Sequence, residues 1–149
     1  MTTLLDLYNQ AEQDQIDVDW FDLQTATSLS MPLPDGSFGI AINPWKVRTL
    51  AEETVIMAHE LGHCETGSFY NRWATCDVRQ QHENRANKWA IKKLIPKDEL
   101  DLECSRGNVE PWNLAEHFGV TEDFMREAMC FYSNESFAAA HETCSSYVE

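Results

Sequence analysis

The hydrophobic positions along this chain change from helical to alternating spacing and back again. Apolar residues recur every three to four positions near the start, which predicts a helix over residues 3–15. Residues 16–43 are β-like, because apolar side chains first alternate with aspartates. Turn-forming residues then fill 31–36, and an apolar run over 38–43 is ended by Pro44. We therefore expect a short sheet after the first helix.

Two longer helices are predicted in the middle of the chain. Thr49 and Glu52 have the spacing of a capping box, which predicts a helix over about 50–63. A second helix is predicted over about 77–95, and Pro96 ends it. The apolar stripe of this second helix comprises Ala86, Ala90, Ile91 and Leu94.

The last third of the chain is predicted to be helical. A short acidic helix is expected over 97–105, followed by a pair of helices over 111–118 and 122–132. The pattern weakens beyond Ser133, and no element is assigned there. A small sheet followed by helices is typical of an α+β domain, which is the fold class we predict.

The pair of helices over 111–118 and 122–132 is similar to a helix-turn-helix, a motif that binds DNA. Its second helix, however, opens with Glu122 and Asp123 and also carries Glu127. Phosphate groups would repel these carboxylates along the whole recognition surface. We therefore expect this acidic pair to have a structural role or to contact protein.

Charge is distributed unevenly around the predicted middle helices. The formal net charge is −14, of which residues 1–43 carry −7, residues 44–96 carry +2 and residues 97–149 carry −9. Both acidic flanks disfavour direct binding of nucleic acid. The acidic residues serve either solubility or the attraction of a basic partner.

Composition also limits where the protein acts. No apolar run approaches the roughly 18 residues of a membrane-spanning helix, and the N-terminus lacks the positive flank of a signal peptide. We expect a cytoplasmic protein without a membrane partner. Its five cysteines contain no Cys-x-x-Cys pair and are expected to be thiols. Because no repeat or linker interrupts the chain, we predict one domain over 1–149.

The strongest chemical signal is the sequence His59-Glu60-Leu61-Gly62-His63. On a helix its two histidines are one turn apart on the same face, so both can bind one Zn²⁺ ion. Glu60 lies beside the open position of the ion, where it can take a proton from bound water. We therefore predict His59 and His63 as metal ligands and Glu60 as the catalytic base.

A catalytic zinc site normally has three protein ligands, so a third is required. Glu83 is favoured, because it continues the inward apolar stripe of its helix and a carboxylate on a buried face needs a charged partner. His82 points about 100° away around the same helix. Glu65 and Cys64 follow the motif too closely to return to the same ion. The other residues considered are Cys76 and Asp77.

Together these motifs resemble the ImmA/IrrE metallopeptidases. That family typically shows the His-Glu-x-x-His motif, then a helix of the form Glu-x-x-Ala-Asn/Asp-x-Phe-Ala, then Leu-Leu-x-Pro. Here the second and third motifs correspond to residues 83–90 and 94–96, with Trp89 in place of Phe and Ile95 in place of Leu. The resemblance covers about residues 38–130.

The resemblance implies a minimal zincin-like core in an α+β fold. Carried over by position, His59, His63 and Glu83 would bind zinc, and Glu60 would be the general base. Residues 1–96 would then form the catalytic core, with 97–149 as a helical C-terminal subregion.

The resemblance further implies a zinc-dependent metalloendopeptidase that cuts a regulatory protein. The expected substrate is a helix-turn-helix transcriptional repressor, often encoded on a phage or mobile element, whose basic surface could be attracted by the acidic flanks. One alternative is a non-catalytic, zinc-containing binding module of an antitoxin-like or regulator-binding kind. Another is zinc-dependent hydrolysis of a substrate that is not a peptide.

Several further roles stay open at this point. Asn87 could hold the carboxylate of the third ligand. Tyr70 or His82 could stabilise the oxyanion, although a structural role is favoured for each. The strand over 38–43 could offer its edge to an extended substrate. Cys64 is expected to be a packed thiol rather than a redox sensor.

Overall fold

The computed structural model describes the backbone of residues 1–145 and the side chains of residues 1–136. In this part of the chain one helix precedes three strands, and five helices follow them, which confirms the predicted α+β fold class. The elements are α1 (Leu4–Gln13), β1 (Ile16–Trp20), β2 (Ser28–Pro32), β3 (Phe38–Ile42), α2 (Leu50–Thr66), α3 (Cys76–Leu94), α4 (Lys97–Ser105), α5 (Pro111–Phe118) and α6 (Glu122–Ser145).

The three strands form one sheet in the order β1-β3-β2. The central strand, β3, runs parallel to β1 and antiparallel to β2, and its residues 40–42 are buried. The outer edge of β2 has no strand beside it among the described residues. The turn predicted over 31–36 begins later than expected, because Met31 and Pro32 still belong to β2. Proline is tolerated at the end of an edge strand.

Helix α2 begins where the capping residues predict. The Thr49 hydroxyl accepts a hydrogen bond from the backbone N–H of Glu52 at 3.1 Å. The Glu52 carboxylate returns to the N–H of Arg48 at 2.8 Å, one residue before the cap itself. The helix ends at Gly67, whose φ of 63° is left-handed and favours glycine. Both ends of the helix that carries the His-Glu-x-x-His motif are thus fixed by local hydrogen bonds.

Helices α2 and α3 pack against each other with their backbones in close contact at Gly62. A Cβ atom at this position would lie 2.5 Å from the carbonyl oxygen of Ala86 and 3.1 Å from its Cα. Any larger residue would push the helices apart. The glycine therefore sets how closely α3 approaches the motif on α2.

The hydrophobic core is continuous from α1 to α6, since one buried cluster includes Leu7 and extends to Tyr132. Phe124, Met125 and Ala128 of α6 are buried in this cluster. The Tyr132 hydroxyl donates a buried hydrogen bond of 2.6 Å to the carbonyl oxygen of Ile95. The inner face of the second helix of the helix-turn-helix-like pair is thus occupied by protein packing.

Helix α6 is longer than predicted: it continues to Ser145, whereas the sequence pattern ends the element at 132. None of the helices in the described part of the chain combines the length and apolar character needed to cross a bilayer.

Candidate metal centre

The structure brings His59, His63 and Glu83 together at the contact between α2 and α3. The two histidine Nε2 atoms are 3.1 Å apart. The Nε2 atom of His59 is 3.0 Å from Glu83 Oε2, and that of His63 is 3.4 Å from Glu83 Oε1. Among the described residues these three form the one group of histidine, cysteine or acidic side chains with the proximity a metal ion needs.

Both imidazole rings are held by carbonyl acceptors on the side away from this cluster. Nδ1 of His59 donates to the side-chain oxygen of Asn87 at 2.7 Å, and Nδ1 of His63 donates to the backbone carbonyl of Ser68. Because Nδ1 carries the hydrogen in each ring, the Nε2 lone pairs point towards each other and towards Glu83. Asn87 thus contacts a histidine, whereas its position in the sequence suggested a contact with the third ligand, Glu83.

Three electron-pair donors at this separation repel one another unless a cation lies between them. Their spacings of 3.0–3.4 Å are close to the roughly 3.4 Å edge of a tetrahedron with metal–ligand bonds of about 2.1 Å. Two imidazole nitrogens and a carboxylate are a typical donor set for a catalytic zinc ion. The residues present therefore fit a divalent metal ion, with the cavity on the remaining side.

Without a metal ion, the surroundings of His59 favour its protonated form. Burial acts to lower the pKa of His59, but the hydrogen bond to Glu83 and the charges of Glu60 and Glu83 outweigh it, so the net shift is upward. The same hydrogen bond from His59 lowers the pKa of Glu83 to about 2. The cluster is thus built for positive charge at its centre.

Glu60 lies on the cavity side of this cluster and is only 5% exposed. Its Oε1 atom accepts a hydrogen bond from the hydroxyl of Ser28, on β2, at 2.6 Å. A cavity of about 500 Å³ is lined by both residues and by the three clustered side chains. Ser28 could not be identified from the sequence, since one serine in a weakly patterned strand carries no signal of its own.

Tyr70 is at the rim of the same cavity. Its hydroxyl donates to Glu83 Oε1 at 2.8 Å, and this bond to a carboxylate raises the pKa of the phenol. His82 lies beside the Tyr70 ring, with centroids 6.1 Å apart, and takes no part in the cluster. Of these two residues, only Tyr70 lines the cavity and touches a clustered side chain.

The other ligand candidates have different surroundings. Cys64 is buried in the hydrophobic core, and burial raises the pKa of its thiol to about 12, as expected for a packed thiol. Glu65 accepts a hydrogen bond from Gln10 on α1 at 3.2 Å. Cys76 and Asp77 are exposed at the first turn of α3. None of these four belongs to the metal-ligand group found among the described residues.

The strand that could receive an extended substrate is β2 and not β3. The expectation that residues 38–43 offer their edge is wrong, because β3 is paired on both sides. Residues 26–30, which lead into and form most of β2, line the cavity beside His59 and Glu60. The sequence could not identify the open edge, since strand order depends on contacts between distant segments.

Comparisons with known proteins agree with this architecture. The family described as Peptidase_M78, IrrE N-terminal-like domain, matches residues 11–129. No curated protein matches the chain significantly. Among solved structures, a Mycobacterium tuberculosis transcriptional regulator is similar at a TM-score of 0.57 and 16% identity, which supports the fold alone. The match covers 82% of this chain and 39% of that one, so the chain spans less than half of the regulator's length.

Proposed function

Because the chain belongs to the family of IrrE N-terminal-like domains, the M78 peptidases, we propose that it is a zinc-dependent metalloendopeptidase. One observation carries the proposal: His59, His63 and Glu83 converge beside a buried carboxylate, Glu60, in one open cavity. A purely structural zinc site has no need of a base next to its ligands. The intact Glu60 therefore favours catalysis over the alternative of a non-catalytic binding module.

In this mechanism His59, His63 and Glu83 hold the ion and Glu60 moves the proton. When bound, zinc lowers the pKa of a water molecule and polarises the scissile carbonyl. Glu60 accepts the proton of the attacking water and returns it to the leaving amine. The hydrogen bond from Ser28 orients the carboxylate through Oε1 and leaves Oε2 for this transfer.

The outer edge of β2 offers a place for the substrate backbone. An extended peptide can pair with the free N–H and C=O groups of an edge strand, which fixes the scissile bond relative to the strand. Ser28 belongs to β2 and its hydroxyl contacts Glu60, so a substrate paired with this strand would lie next to the proposed base. We propose that the substrate lies along β2 across the metal centre.

The proposed substrate is a regulatory protein, a helix-turn-helix repressor with a basic surface. Support comes from the charge distribution: the flanks, 1–43 and 97–149, carry −7 and −9, whereas the segment with the metal cluster carries +2. Acidic flanks would attract a basic partner and hold it near a neutral cleft. No direct contact with nucleic acid is proposed.

We propose residues 1–149 as one metallopeptidase domain in the cytoplasm. The continuous buried cluster from Leu7 to Tyr132 supports one folding unit, with 1–96 as catalytic core and 97–149 as helical subregion. The four cysteines with described side chains are free thiols, as suits a reducing compartment.

The first test replaces the proposed base. Glu60→Gln should bind zinc as the wild type does and cleave a repressor encoded by the adjacent gene about 10²- to 10⁴-fold more slowly, since a positioned general base contributes about that factor. Zinc per chain and cleavage by gel are measured together. Glu65→Gln, an exposed change on the same helix, is the control and should cleave normally.

Three outcomes would contradict the proposal. Equal cleavage by Glu60→Gln and the wild type would exclude Glu60 as the base. Zinc binding and tight repressor binding without cleavage by the wild type would favour the binding module. His59→Ala should lose zinc, and zinc retained in this variant at wild-type affinity would exclude the ligand assignment.

A further inference from the structure

Two further cavities adjoin the cavity at the metal centre and share lining residues with it. The next, of about 330 Å³, is lined by His59 and Asn87 on one side and by α6 on the other. The last, of about 490 Å³, is bounded by Trp45, Lys46 and Arg48. Thr27 lines all three, and the second and third also share Val55 and Ile56. We call the second and third cavities together the Trp45 groove.

Trp45 is exposed but held by a well-bonded turn. Its side chain is 80% exposed, while its backbone N–H donates to the Asn43 side-chain oxygen at 3.1 Å. The N–H of Lys46 donates to the Asn43 carbonyl at 3.1 Å. Asn43 is itself buried and donates to the carbonyl of Ala26 at 3.0 Å. The backbone that carries this large aromatic surface is therefore held in place, and a tryptophan side chain, with two rotatable bonds, contacts a ligand at a low cost in conformational entropy.

The far end of the groove is positive although the protein is strongly acidic. The Arg48 side chain makes no ion pair or hydrogen bond within the described residues. Glu52 lines the same cavity and accepts a hydrogen bond from the Arg48 backbone N–H through one carboxylate oxygen, so Lys46 and Arg48 leave a net charge of +1 at this end. The Lys46 ammonium contacts only the carbonyl of Thr25 among these residues. Two cations beside an exposed indole are therefore available to a carboxylate.

The part of the groove nearer the metal has the opposite charge. Asp123 and Glu127 of α6 line it, together with Phe124. A ligand that follows the groove thus passes from an acidic wall near His59 to the basic end at Arg48. A peptide with a basic residue near the metal centre and an acidic residue further along would therefore match the charges of the groove in one orientation only.

We infer that the Trp45 groove binds the part of the substrate that follows the scissile bond, and that Arg48 and Trp45 select an acidic side chain there. This inference rests on the proposed function, since it places the scissile bond at the metal centre. A peptide that pairs antiparallel with β2, the more stable arrangement, runs from the Pro32 end to the Ser28 end. Its C-terminal part then enters the groove past Thr27, which adjoins Ser28.

The test measures peptide binding on a protein that is designed not to cleave. Zinc-loaded Glu60→Gln is titrated into fluorescein-labelled ten-residue peptides of alanine, serine and threonine that carry an Asp-Asp or Asn-Asn pair at successive positions. Fluorescence anisotropy gives each Kd. We expect one C-terminal position at which the Asp-Asp peptide binds about two- to fivefold more tightly than the Asn-Asn peptide.

Matched variants in the Glu60→Gln background identify the residues responsible. Arg48→Gln should abolish the preference for Asp-Asp, whereas Arg85→Gln, an exposed arginine outside the described cavities, should keep it. Trp45→Ala should weaken binding of both peptides. Trp73→Ala removes a tryptophan of equal exposure, 79%, that lines none of the three cavities, and should leave binding unchanged.

The inference is overturned by equal Kd values for all Asp-Asp and Asn-Asn peptides, by a preference confined to the N-terminal half, or by a preference that survives Arg48→Gln. Failure of the proposed function has a separate signature. In that case the wild type cleaves neither peptide nor repressor, while the anisotropy of the Glu60→Gln protein still reports whether the groove prefers a carboxylate.

Discussion

At the scale of single residues, each histidine of the motif has one ring nitrogen bonded to a carbonyl oxygen and the other directed at the centre of the cluster. Asn87 and the Ser68 carbonyl accept from Nδ1, so both Nε2 atoms are free to bind a cation. Such partners fix the tautomer and the ring orientation and raise the basicity of the ligand. The metal affinity should therefore depend on residues that never touch the ion.

Asn87→Ala tests this dependence. The substitution leaves Nδ1 of His59 without its acceptor, and we expect zinc affinity to fall about 10- to 100-fold, the usual cost of removing such a partner. Competition with a chromophoric chelator measures the affinity. Asn84→Ala is the control, because Asn84 is exposed one turn earlier on α3 and, within the described residues, its side chain hydrogen-bonds only to Gln80. Equal affinity in the two variants would show that Asn87 does not support the ligand.

Helical periodicity alone puts His59 and His63 on one face and Glu83 on a buried stripe, so the proximity of these side chains could be expected from the sequence, whereas their role as ligands stays a prediction. Their supporting contacts could not be predicted in the same way. Ser28 reaches Glu60 from a strand 32 positions earlier in the chain. The acceptor for His63 is a backbone carbonyl, at Ser68, and every residue type supplies one. Such contacts depend on the tertiary fold.

At the scale of elements, the distance between α2 and α3 sets the size of the centre. His59 and His63 come from one helix and Glu83 from the other, and Gly62 lies at their contact. Because a Cβ at Gly62 would meet backbone atoms of Ala86, relief requires movement of a whole helix. The spacing of the donor atoms thus depends on Gly62 having no side chain.

Gly62→Ala should therefore separate the two helices. We expect the free energy of unfolding to fall by about 1–3 kcal/mol, the typical cost of overpacking, and zinc affinity to fall with it. Urea unfolding and chelator competition give the two quantities. Gly39→Ala is the control, since a Cβ there would meet Leu33 at an ordinary 3.6 Å. Unchanged stability in Gly62→Ala would exclude a tight helix contact at this position.

Elements with strong periodicity or clear end signals were predicted to within a few residues, as α4 and α5 illustrate. The bounds of two elements were harder to predict from the sequence. Strand β2 alternates serine with apolar residues only briefly, and its pairing with β3 defines it more than its own pattern does. Helix α6 passes its predicted end at 132, and Glu135 beyond that end approaches Lys92 on α3 at 3.9 Å. The local pattern alone therefore does not mark where this helix ends.

At the scale of the whole molecule, charge should govern the encounter with a basic repressor. We expect kcat/KM for the repressor to fall about tenfold as NaCl rises from about 0.05 M to about 0.5 M, because salt screens attraction between separated charges. Cleavage rates at low substrate concentration measure this. An uncharged peptide substrate is the control and should show little change. Repressor cleavage independent of salt would contradict a steering role for the acidic flanks.

The stability of the metal-free protein should depend on pH through the same cluster. The pKa of His59 is raised from 6.5, so its contribution is present below pH 6.5 and is lost as the pH rises through the raised value. The pKa of Glu83 is lowered from 4.5 to about 2, so its contribution is present above pH 4.5 and is lost towards pH 2. Both contributions are complete between pH 4.5 and 6.5.

Glu83→Gln should therefore destabilise the chelator-treated protein most between pH 4.5 and 6.5 and progressively less towards pH 8.5. Urea midpoints of the wild type and the variant across this range give the difference. Glu116→Gln, an exposed change on α5, should show no such profile. A difference that grows above pH 6.5 would contradict the charge pairing of His59 and Glu83.

The contact at Gly62 also implies that substitutions in the core can affect stability and the spacing of the ligands separately. It joins backbone to backbone, so the separation of α2 and α3 at this point does not depend on the conformation of core side chains. Substitutions that trim Met57 or Ile91 should lower the melting temperature while the ligands keep their spacing. The core can then vary in sequence without a change in the spacing of the ligands, because Gly62, the smallest residue of the motif, sets the distance between the two helices.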